Sequence, residues 1–455
     1  MPAKATVALV SLGCPKNLVD SQAMLGLLQQ AGYEIVEEVE QAEVIIVNTC
    51  AFIEPAQEEA IDALLDLAEL KRDKCRALIC AGCLAERHKE TLLDELPEVD
   101  AFVGVGAVPS IVEAVEGALA GRRAFVDAPL SYVYDGSSPR VLTGPSWLAY
   151  LKIADGCNHR CAFCTIPQLR GRYRSVAVPA LRSQFEHLVD SGAREVCLIA
   201  QDTSAYGKDL EPRLRLAYLL SDLQQVPYDG WLRMLYLHPD SLDEDTIAAM
   251  CGAGPVLPYF DIPLQHASQS VLRAMGRKGD AETYLKLVES LRRHNPQATV
   301  RTTFIVGFPG ETDRDFELLL DFITQARLDR LSVFRYWPET GTRAATLPDQ
   351  VPLEVADERL DELMRVQETL SLEINQRFVG RTMKVLLEEP LERTIWRGRT
   401  YRDAPEIDGE VKVTLPAADL VLEPGEFADV QITAAEVHDL RGRIDLPRND
   451  LRRDP

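Results

Sequence analysis

Residues 155–167 read DGCNHRCAFCTIP, and this stretch decides how the rest of the chain is understood. It places Cys157, Cys161 and Cys164 in the spacing Cys-x-x-x-Cys-x-x-Cys. Three thiolates this close hold three corners of a cubane iron–sulfur cluster, whereas four would close it. The remaining iron then keeps an open position, the mark of a reacting site rather than a structural one. A structural zinc wants a fourth ligand, and His159 is the only local candidate. A disulfide framework fits neither the odd local count nor a chain of 455 residues.

Upstream, short apolar runs alternate with helical patterns. TVALVSL runs into Gly13 and Cys14, AEVIIVNTC ends at Cys50, and RALICAGC ends at Cys83. Helices are expected from about Leu18 to Ala31 and from about Pro55 to Leu70, the second with proline at its start, where a missing N–H costs nothing. The alternation predicts an α/β domain over 5–120 with a doubly wound parallel sheet. Such sheets bind ligands beyond the carboxyl ends of their strands. Cys14, Cys50 and Cys83 all fall there, so they are expected to converge as ligands of a second metal cluster. Free cysteine is also a common core residue, and Cys80 competes with Cys83 for the third place. Cys83 is preferred because it follows Gly82 in a loop. Cys75, Cys197 and Cys251 read as packing or surface residues.

Downstream, residues 121–142 collect proline, glycine and serine and read as a linker. Residues 143–375 contain six strand candidates separated by helices, which predicts a partial (βα)6 barrel. Catalytic groups in such barrels sit on the loops after strands, and the cysteine triplet follows the first strand. A long amphipathic helix is expected from about Pro352 to Phe378. Over 376–446, four short alternating segments predict a small antiparallel β-barrel.

Composition narrows the class. Hydrophobic residues are 46% and charged residues 26%, ordinary for a globular protein. The N-terminal residues lack a basic region followed by an apolar run and cleavage site, and no stretch approaches the 18 or so apolar residues of a membrane span. No membrane partner and a cytoplasmic location are the expectation. Ten cysteines without a secretion signal suggest reduced thiols and metal ligation. The net charge is −22. Residues 381–455 hold 12 Lys or Arg against 16 Asp or Glu, a net of −4. That opposes a general RNA-binding surface and favours a basic protein partner.

With Phe163 before its last cysteine, the triplet resembles the signature of the radical S-adenosylmethionine superfamily. Together with Cys14, Cys50 and Cys83 on an α/β domain and a TRAM-like C-terminal barrel, it makes the chain resemble the methylthiotransferases. The loop QDTSAYG (Gln201 to Gly207), the run YFDIPLQHAS and the segment APEIDG (Ala404 to Gly409) resemble the ribosomal-protein branch. The alternative is the MiaB-like branch, which modifies an adenosine in transfer RNA. The resemblance implies two 4Fe-4S clusters, on Cys14, Cys50, Cys83 and on Cys157, Cys161, Cys164. It implies S-adenosyl-L-methionine as methyl donor and radical source, and methylthiolation of an aspartate on the twelfth small-subunit ribosomal protein, free or assembled. A low-potential electron donor is then needed, and no free nucleic-acid substrate is expected. Sulfur insertion at an unactivated C–H carbon requires cofactor-borne radical chemistry. A non-catalytic two-cluster electron carrier would instead use closed four-cysteine sites.

Further candidates are Phe163, Gln201 and Gly307 as cofactor-binding residues. An aromatic beside a cluster can equally shield it from water. Gln201, Asp202 and Ser204 either bind cofactor or substrate or cap the following helix. Gly307, Pro309 and Gly310 permit close backbone approach. His238 and His266 read as satisfied histidines at the barrel rim. Arg170 and Arg172 suit a bound carboxylate or a surface acid, and the residues alone do not choose.

Overall fold

A computed structural model describes residues 4–89, 91–416 and 420–444. Its first unit is a six-stranded sheet of β1 (Thr6–Ser11), β2 (Glu34–Ile35), β3 (Val44–Thr49), β4 (Ala77–Gly82), β5 (Ala101–Val103) and β6 (Ala124–Val126), ordered β2-β1-β3-β4-β5-β6. Every pairing is parallel. β3 and β4 are buried along their whole length, as expected of strands covered on both faces. The strand order reverses between β1 and β3, the switch point at which such sheets hold ligands. β6 lies inside the stretch read as linker, so that stretch begins by extending the sheet.

The helix Pro15–Gln30 is buried on much more than one face, including Asp20, Ser21 and Gln22. It is wedged between its own sheet and the central domain, where it packs on β7 (Leu148–Lys152). A short antiparallel pair, β8 (Ala154–Asp155) and β9 (Arg174–Ser175), pinches the two ends of the cysteine loop together. β10 (Glu195–Ile199) and β11 (Trp231–Met234) complete a three-stranded parallel sheet with β7. β12 (Tyr259–Asp261), β13 (Thr299–Val306) and β14 (Arg330–Arg335) form a second. The two sheets adjoin at β11 and β12, giving six barrel strands in chain order.

Alternate residues of these strands face different partners, as the two-residue strand period requires. Leu151, Val196, Leu198, Leu232 and Met234 join the core shared with the outer helices. Tyr150, Cys197, Ile199 and Tyr259 join a core shared with the N-terminal sheet. The outer helix Asp313–Ala326 starts with a capping box between Thr312 and Asp315, a device that satisfies two otherwise orphaned donors.

The helix Leu353–Gln376 leads into a closed barrel of β15 (Thr382–Glu392), β16 (Ile395–Thr400), β17 (Val411–Thr414), β18 (Phe427–Ala435) and β19 (Leu440–Arg443). The barrel departs from the purely antiparallel expectation in one place, because β17 and β19 pair parallel. β19 was not foreseen, since LRGR carries one apolar side chain and no alternation. Residues 445 and 446, the end of the domain expected over 376–446, lie outside the described residues.

The flanking domains meet opposite ends of the central barrel. Glu195, the first residue of β10, pairs with Arg399 of the C-terminal barrel at 2.6 Å. Arg301 reaches Asp408 at 3.3 Å, and Trp231 packs on Phe427 with ring centroids 4.9 Å apart. The APEIDG segment is thus a docking loop, with Asp408 also accepting from the Tyr259 hydroxyl and the Ala404 N–H. At the carboxyl end, Lys152 closes β7 and is ion-paired to Asp20 of the N-terminal domain. No helix among the described residues is long and apolar enough to cross a membrane.

Candidate active site

One set of cysteines lies at the carboxyl end of the N-terminal sheet, and the other follows the first barrel strand. Cys14 precedes the helix Pro15–Gln30, Cys50 directly follows β3, and Cys83 opens the helix Cys83–His88 after β4. The loops of the first two touch. A Cβ on Gly13 would lie 2.8 Å from the Cys50 Cβ, and φ at Gly13 is +90°, so glycine is required there. Asn17 ties the ends of β1 and β3, donating to the Leu12 and Thr49 carbonyls at 3.2 and 2.9 Å. Its Oδ1 accepts from Arg170 and lies 3.8 Å from the Cys83 sulfur. Cys80 stays inside β4, fully buried beside Thr49.

Burial pushes the Cys83 thiol up to about 12, with Arg170 opposing and Cys14 and Cys50 adding to the rise. Burial also raises Cys50. Cys14 goes the other way. Burial acts against its thiolate, but Lys16 and Arg170 together outweigh it and the pKa falls.

The triplet loop is held as firmly. Gly156 has φ +81°, and a Cβ there would sit 2.2 Å from the Arg172 carbonyl. The Cys157 N–H donates to Gly171 O at 3.1 Å. The Ala162 N–H donates to Met275 O at 2.7 Å, and the Ala162 carbonyl accepts from the Ala344 N–H at 2.9 Å. The His159 N–H points at the Cys157 sulfur (3.4 Å), and Arg277 points at the Cys161 sulfur (3.7 Å). Burial raises Cys157 to about 11 and Cys164 to about 12.

The donor sets fit two open iron–sulfur clusters. All ten cysteines are free, and each set offers three thiols with a guanidinium on one sulfur. His159 does not supply a fourth ligand. Its Nε2 bonds Asp202 at 2.7 Å, and its ring stacks on His238 at 3.8 Å.

Arg170 joins the two domains at this site. It is 2% exposed and donates to Asp20 at 2.8 Å and Asp155 at 3.0 Å, while its Nη2 lies 3.8 Å from the Cys83 sulfur. Lys152 shares both carboxylates, lying 3.0 Å from Asp155. Burial works against the Asp155 carboxylate, but Arg170 and Lys152 hold it well below the usual range. Of the two arginines left open by the sequence, Arg170 is therefore buried between domains, and Arg172 is exposed in the loop.

Family comparisons add to this geometry. The model of uncharacterized protein family UPF0004 matches residues 6–104, that of the radical SAM superfamily 151–323, and that of the TRAM domain 379–444. The ribosomal protein uS12 methylthiotransferase RimO of Heliobacterium modesticaldum is 44% identical over 97% of this chain and 95% of its own length. Its namesake in Pelotomaculum thermopropionicum is 45% identical over 97% of this chain and 99% of its own. The chain belongs to the RimO family. Among solved structures, the radical S-adenosylmethionine methyltransferase TsrM of Kitasatospora setae shares the fold with a TM-score of 0.56 at 14% identity, over 85% of this chain and 79% of its own.

In this RimO-family chain the remaining candidates separate. Phe163 is half-buried, edge-on to Phe308 with centroids 6.4 Å apart. Gln201 donates to Asp155 at 2.9 Å, while its Oε1 is buried without a protein partner. Asp202 caps the turn Thr203–Ala205 and gathers His159, Ser204 and Ser241. Gly307 has φ +73°, and a Cβ there would lie 2.5 Å from the Ala356 Cβ, so helix packing accounts for that glycine. His238 takes the Asp240 N–H on Nδ1. Burial, with Arg277 and His159 nearby, lowers it to about 3, so it is neutral. His266 takes the Ser268 N–H and stands 3.8 Å from Glu311. Lys16, Asp20, Lys152, Asp155, Tyr236 and Arg277 were not anticipated. Only the places of Lys16, two residues after Cys14, and of Asp155, two residues before Cys157, offered a signal.

Proposed function

We propose that this protein methylthiolates an aspartate of the small-subunit ribosomal protein uS12, using a 4Fe-4S cluster on each cysteine set and S-adenosyl-L-methionine as methyl donor and radical source. The observation that carries this reading is that buried Arg170, from the loop of the cysteine triplet, reaches the Cys83 sulfur of the strand-end set, in a chain of the RimO family. When bound, the clusters and S-adenosyl-L-methionine supply the sulfur and the radical chemistry.

The chain's own residues prepare the site. Cys14, Cys50 and Cys83, and separately Cys157, Cys161 and Cys164, would each hold a cluster through three thiolates and leave one iron for another ligand. Arg170 and Arg277 offset thiolate charge, as cations near sulfur do. The wedge helix Pro15–Gln30 and the Asp20–Lys152–Asp155–Arg170 network close the interface against water and set the separation of the two cysteine sets. Phe163, Gln201 and the loops after β10 and β11 border the space left for cofactor and substrate. The partner is uS12, alone or in the small subunit, with a low-potential electron donor, in the cytoplasm.

The test is incubation of the reconstituted protein with S-adenosyl-L-methionine, a sulfur source and reductant, offering small subunits and transfer RNA in parallel. Mass spectrometry is expected to find a methylthio group on uS12. Modified RNA beside unmodified uS12 would overturn the proposal.

A further inference from the structure

We propose that Lys16, braced on Tyr236, is the specificity residue that receives the side-chain carboxylate of the substrate; this rests on the function proposed above. Lys16 is buried in the first turn of the wedge helix, two residues from Cys14, with its ammonium 3.1 Å from the centroid of the Tyr236 ring. The other buried cations at this mouth are committed. Lys152 and Arg170 hold Asp20 and Asp155, and Arg301 holds Asp261 at 2.9 Å. Among the described residues no acid pairs with Lys16. Of the charges that act on it, Cys14 comes first and is itself a cluster ligand, and the acids Asp155 and Asp261 are engaged elsewhere.

A buried ammonium without a carboxylate partner is costly. An aromatic face recovers part of that cost, and an incoming carboxylate would recover more. Tyr236 is itself a non-glycine residue at φ +62°. Its N–H is bonded to Asp261 at 2.8 Å and its carbonyl accepts from the Thr203 N–H at 2.9 Å. Such conformations persist where surrounding bonds over-determine them, and they gather at ligand-binding sites. The pair joins the start of the wedge helix, beside Cys14, to the loop that follows β11 at the carboxyl end of the barrel, and a carbon that is to receive sulfur from one cluster and lose hydrogen to the other must stand at that junction. An aspartate brings a carboxylate to that point, whereas an adenine ring brings none. Arg277, at Cys161, is the corresponding cation on the other set.

The test measures binding of uS12, and of uS12 with its target aspartate changed to asparagine, to the cluster-loaded protein. Wild type is expected to prefer the aspartate form by about tenfold or more, the scale of a charge-assisted hydrogen bond. Lys16→Met is expected to erase the preference with its iron content intact, Lys16→Arg to keep much of it, and Tyr236→Leu to reduce it. An undiminished preference in Lys16→Met overturns the proposal. So does loss of iron from Lys16→Met, or weakened S-adenosyl-L-methionine binding in place of weakened uS12 binding, since these assign Lys16 to the cluster or the cofactor. A wild-type protein that neither binds nor modifies uS12 removes the functional reading itself, a result distinct from these.

Discussion

Arg170, on the loop that carries one cysteine triplet, places its Nη2 3.8 Å from the sulfur of Cys83, which belongs to the other set. A single guanidinium therefore spans the boundary between two domains, carried by the loop of one cysteine set and reaching a sulfur of the other. Its carboxylate partners, Asp20 and Asp155, come one from each domain.

Replacing Arg170 with methionine is expected to be severe. It leaves two buried carboxylates with Lys152 alone, and breaking a buried ion network costs about 3–5 kcal/mol. Arg170→Lys recovers only part, because a lysine cannot present the planar fork. Thermal denaturation of the loaded protein checks the stability, and limited proteolysis checks whether the N-terminal domain has come loose. A melting temperature equal to wild type would show that the network is not structural.

Cysteine replacements are expected to separate the two halves of the chemistry. Cys161→Ala abolishes 5′-deoxyadenosine formation. Cys50→Ala blocks methylthiolation while some cleavage of S-adenosyl-L-methionine continues. Iron analysis of each variant, with chromatography of the nucleoside product, distinguishes this from general unfolding, in which both lose everything.

Gly156→Ala tests how tightly the triplet loop is built. The added methyl meets the Arg172 carbonyl at 2.2 Å, a backbone atom that can move only with the loop. Overpacking of this kind costs about 1–3 kcal/mol, on top of the strain of φ +81° for alanine. The expected outcome is a lower melting temperature together with reduced iron on the cluster of Cys157, Cys161 and Cys164. Full iron occupancy at wild-type stability would contradict it.

Acid is expected to undo the C-terminal docking. Burial opposes the charged form of Glu195, but Arg233 and Arg399 bring its pKa below the ordinary value. Asp403, buried beside Arg330 and Arg402, is lowered too. A folded pKa below the unfolded one contributes stability fully present above the unfolded value, about 4 for carboxylates, and lost as pH falls through the folded value. The melting temperature should therefore drop as pH falls below about 4. Trp147 and Trp231, buried near this interface, make its opening visible as a fluorescence shift. Glu195→Gln should lower stability at neutral pH and flatten the acid limb.

Much of the architecture was legible because it rests on local patterns. Residues 44–47 form an unbroken apolar run that leads through Asn48 and Thr49 to Cys50, and burial on both faces of a parallel strand produces that texture. The six barrel strands and the helix Leu353–Gln376 were visible for similar reasons. β8 and β9 were not, because two-residue strands have no period to read. β6 hid in a segment whose prolines and glycines suggested a linker.

By itself the sequence determined the chemistry available: two groups of three thiols, one in a tight spacing and one at successive strand ends. These are properties of residue type and local spacing, and they survive without knowledge of neighbours. The tertiary structure alone decided what joins them. Arg170 and Asp20 stand 150 residues apart in the chain, and nothing in either neighbourhood announces the other. The same holds for Lys16 and Tyr236. Ion pairs and cation–π contacts carry no periodicity, so they appear only when folding removes water and leaves each buried charge to find its partner.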